Sequence, residues 1–96
     1  MKSTPALEHL TGTYFNQDFH VTHGGVWETV AAFMADEPEL AALLPDEIGS
    51  ALIQYPTEQL MQDYLADIGC EYRAQPEDNG YRGWLTEIAR RVEAAT

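Results

Sequence analysis

Tyr81-Arg82-Gly83-Trp84-Leu85-Thr86-Glu87-Ile88-Ala89-Arg90-Arg91-Val92 repeats its large apolar residues at intervals of three and four. On a helix, Tyr81, Trp84, Leu85, Ile88 and Val92 fall on one face, with Arg82, Glu87, Arg90 and Arg91 on the other. A strand would need alternation at every second residue, which this stretch lacks. The reading is an amphipathic helix whose apolar stripe must be covered by other elements, and the rest of the chain offers helices to cover it.

Working back from that helix, Pro76 and Asn79-Gly80 read as turn, and only Glu71 to Gln75 could be extended, which excludes a substantial sheet. Before it, Pro56 and Thr57 close one segment and open the next. There Leu60, Met61, Tyr64, Leu65 and Ile68 form an apolar stripe and Gly69 reads as a C-terminal cap. Leu40, Leu44, Ile48 and Leu52 keep one helical phase across Pro45. An interior proline costs a helix about 3 kcal/mol, so the spacing predicts a restart there. Pro45 would take the first helical position, with Asp46 and Glu47 at the positive end of the helix dipole. Gly49 weakens this helix.

Val26, Val30 and Phe33 lie along one side of an earlier helix, with Trp27, Ala31 and Met34 beside them. Asn16 to Gly25 lacks periodicity and reads as a loop. The first helix has Thr4 as its cap, Pro5 at the first position and Leu7, Leu10 and Tyr14 on one face, and should end near Phe15. The expected fold is all-α: a single domain over residues 1–96, a small bundle of about five short helices. Its expected core includes Leu10, Trp27, Phe33, Leu44, Leu65, Trp84, Leu85 and Ile88.

Ninety-six residues, 45% apolar and 22% charged, suit one globular domain. The unusual quantity is charge: sixteen Asp and Glu against five Lys and Arg give a formal net charge of -11. That field repels a phosphate backbone, so nucleic acid is not an expected partner, and it attracts a basic protein. No apolar run approaches the roughly 20 residues of a membrane span, and Lys2 is followed by no apolar stretch of a secretory kind. Cys70 is the lone cysteine. The expected location is the cytoplasm, with no membrane contact.

Chemistry-bearing patterns are weak. Ser3 and Ser50 have no base and acid arranged around them in the sequence, and Cys70 sits in an acidic chain that disfavours a thiolate. His20 and His23, with Asp18 nearby, lack the further ligands a structural zinc needs. No metal, cofactor or catalytic residue is expected, and the chain is not expected to be an enzyme. Acidic four-helix carrier proteins match in length and charge, but their serine follows Asp and precedes Leu, whereas Ser50 stands between Gly49 and Ala51.

The acids are concentrated. Asp36, Glu37, Glu39, Asp46 and Glu47 occupy twelve residues without a Lys or Arg, and Asp63 and Asp67 follow on the next helix. The last two are one helical turn apart, a spacing that costs a helix a few tenths of a kcal/mol through repulsion, and Asp67 also faces the negative dipole end. Acids placed against local stability point to a surface for binding. These seven are the candidate partner-binding residues.

Tyr14-Phe15-Asn16-Gln17-Asp18-Phe19, Gly69-Cys70-Glu71-Tyr72 and Trp84-Leu85 resemble small immunity proteins of bacterial contact-dependent growth-inhibition systems, over nearly the whole chain. The resemblance implies a cytoplasmic, mostly helical protein that binds and blocks the C-terminal toxin domain of a cognate surface effector. Many such toxins are basic nucleases, which an acidic inhibitor could occupy as phosphate does. Within the motif, Tyr14, Phe15, Gln17 and Asp18 are expected to be structural, since a Tyr-Phe pair at a helix end suits a core and Gln and Asp suit exposed backbone groups. The expected function is therefore toxin neutralisation by stoichiometric binding. The alternative is a small acidic adaptor or carrier for a basic metabolic or regulatory partner.

Overall fold

The computed structural model describes residues 4–15 and 24–95. Helix α1, Pro5–His9, starts with proline in its first turn, and runs into a π-helical turn, Leu10–Tyr14. Thr4 takes the N-cap position as expected, though its side chain makes no capping bond. Its hydroxyl instead meets Tyr64 Oη at 2.5 Å and Glu8 Oε2 at 3.1 Å. The widened turn has a local cause: the buried Thr11 hydroxyl donates back to the Leu7 carbonyl at 2.9 Å, a bond that bends helices. The Phe15 N–H then reaches the Leu10 carbonyl at 3.0 Å, five residues back.

Helix α2, Val26–Asp36, buries Thr29, Val30 and Phe33. It stops at Glu37 because Pro38 follows. Pro38–Ala41 forms a single turn, α3, and Ala42 and Leu43 make the connection to α4, Leu44–Gln54. The restart at Pro45 is thus present, begun one residue earlier than the sequence suggested. Helix α5, Glu58–Asp67, is capped by the Thr57 hydroxyl, which accepts the Leu60 N–H at 3.2 Å. Gly69, at φ +93, closes it: its N–H bonds to Ala66 and that of Cys70 to Leu65, the paired bonds of a Schellman ending. Residues 71–75 carry no regular secondary structure, and the Glu71 N–H donates to the Phe15 carbonyl at 3.0 Å. A 3-10 turn, Pro76–Asp78, and left-handed Asn79 and Gly80 lead into α6, Gly80–Ala95.

Helix α6 packs along α4 and α5, burying Trp84, Leu85, Ile88 and Val92 against Leu7, Leu10, Phe15, Phe33, Leu44, Ile48, Met61 and Leu65. Full burial of each such side chain is worth about 1.5–3 kcal/mol, so α6 supplies much of the stability. Trp84 lies between Phe15 and Tyr72, with ring centroids at 5.1 and 4.6 Å.

One core expectation, Trp27, and two stripe placements, Leu60 and Ala31, are corrected. Trp27 is half-buried at the margin, beneath the Arg91 guanidinium 4.0 Å from its ring centre. Leu60 is exposed, because α5 faces the core along Met61 and Leu65, and Tyr64 on Leu60's own edge is itself only half-buried. Ala31, expected beside the buried stripe of α2, is exposed as well.

Candidate partner-binding site

A cleft of about 260 Å³ opens between α1, α4 and α5. Thr4, Asp46, Glu47, Ser50, Ala51, Gln54, Tyr55 and Tyr64 line it. The rings of Tyr55, at the end of α4, and Tyr64, on α5, stack at 4.3 Å and 17° to form an aromatic wall. Burial pushes the Tyr64 hydroxyl above the ordinary tyrosine value; the bond with Thr4 pulls the other way, and Tyr55, Glu8 and Glu47 add to the rise.

Asp46 and Glu47, adjacent in sequence, have different occupations here. Glu47 Oε2 accepts the Ala6 N–H at 3.1 Å and Oε1 that of Leu7 at 2.9 Å, closing the first turn of α1. Asp46 is exposed and meets no hydrogen-bond or ion-pair partner among the described residues. The Thr4 N–H and hydroxyl hold Glu8 at the same end of α1, so a third carboxylate stands beside the cleft, one that the sequence did not single out.

The other candidate acids form two further groups. Asp36, Glu37 and Glu39 stand at the junction of α2 and α3. Asp36 accepts the Tyr14 hydroxyl at 2.9 Å, and Glu37 lies 3.9 Å from His9 Nε2. The Tyr14 hydroxyl is raised, first by lost solvation, then by that bond to Asp36 and the charges of Asp36 and Glu37. Glu39 is exposed. Asp63 and Asp67 are exposed on α5, Asp63 accepting from Gln59 Nε2 at 3.0 Å.

Arg82, Arg90 and Arg91 are engaged elsewhere. Residues 3–72 contain twelve acids and no Lys or Arg. Arg90 and Arg91 both clasp Glu87 and hold its carboxyl down at about 2. Arg82 Nη1 donates to the Leu52 and Tyr55 carbonyls at 3.0 and 2.5 Å, capping the C-terminal end of α4. Glu58 closes the start of α6, accepting the N–H groups of Tyr81 and Arg82 at 2.6 and 3.2 Å. Sequence reasoning missed Glu47, Glu58 and Arg82 as caps because each serves a helix other than its own.

Of the motif residues, Phe15 is fully buried against Trp84 and Tyr72, and Tyr14 is half-buried with its ring 5.2 Å from Phe33. Gln17 and Asp18 lie outside the described residues, as do Asn16, Phe19, His20 and His23. Ser50 is half-buried in the middle of α4. Burial pushes the Cys70 thiol up to about 11, which disfavours the thiolate.

A family model described as CdiI immunity protein matches residues 3–92. Neither the curated proteins nor the solved structures give a match to the chain. No helix among the described residues is long and apolar enough to cross a membrane.

Proposed function

The chain belongs to the CdiI immunity protein family, and from that membership we propose that it neutralises, by stoichiometric binding, the C-terminal toxin domain of a cognate contact-dependent growth-inhibition effector. The observation that carries the chemistry of the partner is charge: twelve acids and no Lys or Arg in residues 3–72. That surface suits a basic toxin domain, in particular a nuclease whose phosphate-binding groups the carboxylates would occupy. The contact residues are Asp36, Glu37, Glu39, Asp46, Glu47, Asp63 and Asp67. The protein works in the cytoplasm as a single-domain, cofactor-free binder, and it performs no reaction of its own.

Copurification with the C-terminal domain of the effector encoded immediately upstream, followed by an assay of that domain, tests the function. Charge reversal tests the surface. Asp63→Lys with Asp67→Lys, and Glu39→Lys with Asp46→Lys, change exposed side chains and leave the fold intact. At least one pair weakens binding more than tenfold, and wild-type affinity falls with salt chiefly through slower association. Two folded variants that bind and protect like the wild type show that the acidic surface is not the contact.

A further inference from the structure

We propose that the cleft between α1, α4 and α5 is the anchor point for that partner and receives the guanidinium group of one arginine side chain. This rests on the toxin-binding reading and names the group that the acidic surface recognises.

Size limits the occupant first. At about 260 Å³ the cleft is smaller than the about 300–1,000 Å³ of typical small-molecule sites, and it suits one long side chain. Charge limits it next. Asp46 sits at the cleft without a partner among the described residues, Glu47 and Glu8 hold two more carboxylates beside it, and no Lys, Arg or His among the described residues lines the walls. An anion would be repelled, and an apolar side chain would desolvate Asp46 with nothing to pair it.

The aromatic wall then separates the two cationic side chains. The stacked rings of Tyr55 and Tyr64, with Ala51 beside them, offer a flat apolar surface. A guanidinium is planar, weakly hydrated and stacks on such a surface; an ammonium is a compact, strongly hydrated point charge. The guanidinium also carries five donors in a fixed fork, and acceptors stand at the cleft in the Asp46 carboxylate and the Gln54 amide oxygen. Arginine is moreover over-represented among the few residues that dominate protein interfaces.

The experiment uses the full chain and the copurified toxin domain. Asp46→Asn removes the unpartnered charge at an exposed position, and Ser50→Trp fills the cleft from its wall. Circular dichroism and thermal melting confirm that each variant is folded, and each binds toxin more than tenfold more weakly than the wild type. Arginine-to-alanine and lysine-to-alanine replacements across the toxin surface are then paired with Asp46→Asn in double-mutant cycles. One toxin arginine shows coupling: its removal weakens the wild-type complex and has little further effect on the Asp46→Asn complex. If wild-type protein binds toxin and both folded variants bind within twofold of it, the anchor is overturned while the toxin reading stands. Coupling to a lysine alone, or to no basic residue, overturns the arginine assignment. Failure of the wild-type protein to bind overturns both.

Discussion

The carboxylate of Glu47, on α4, accepts the backbone N–H of Leu7 at 2.9 Å and so joins two helices forty residues apart in the chain. Glu47→Ala leaves two N–H groups of α1 without that acceptor. A hydrogen bond to a charged group is worth about 1.5–3 kcal/mol. The expected loss is of that size, or about 4–8 °C in Tm for each kcal/mol in a domain of this length. Asp46→Ala, one residue away and exposed, should stay within about 0.5 kcal/mol of wild type. Equal melting temperatures for the two variants would remove the cap from the account.

Trp84→Ala empties the space between Phe15, Tyr72 and Tyr81. Truncating a buried Trp costs about 3–5 kcal/mol, a large part of the about 5–15 kcal/mol that holds a small domain together. Denaturant titration should show the variant unfolded or close to it at 37 °C. Trp27→Ala, at the margin of the core, should lose markedly less.

Glu87 predicts a pH dependence. Its carboxyl is held at about 2, below the ordinary glutamate value of 4.5, by hydrogen bonds from Arg90 and Arg91. The folded-state value is depressed, so this contribution is present above pH 4.5 and is lost as pH falls toward 2. The group is on an exposed helix face, where such pairs are weak and screened by salt. Melting curves should therefore show a small stability advantage of wild type over Glu87→Gln at neutral pH that shrinks between pH 4.5 and 2. A difference constant across that range would contradict the assignment.

Cys70 should resist modification. With its thiol pushed up to about 11 by burial, only about one molecule in a thousand carries the thiolate at pH 8. Alkylation of the native protein should be far slower than in denaturant, where the ordinary thiol value returns. Equal rates would place Cys70 in solvent.

Much of the fold is legible in the sequence because its signals are local. Pro45 marks the restart of α4, Gly69 the end of α5, and the spacing from Trp84 to Val92 the buried face of α6. Leu60 and Trp27 mislead because periodicity gives the direction of a stripe, while its buried width depends on which neighbour covers it. The caps by Glu47, Glu58 and Arg82 are long-range, so in the sequence they look like ordinary surface charges. That difference also divides the seven candidate acids: Asp46 is unpartnered among the described residues, whereas its neighbour Glu47 is held in a structural bond.

The position of α6 fixes an order of events during synthesis. Its sixteen residues carry Trp84, Leu85 and Ile88 at the centre of the core, and its Arg82 closes the end of α4. Helices α1 to α4 meet one another, as the Glu47 bonds to α1 show, but the apolar faces that surround Trp84, Leu85 and Ile88 have no cover until α6 is in place. A chain arrested before Gly80 therefore leaves the rest of that core open to solvent and offers quality-control proteases an open substrate.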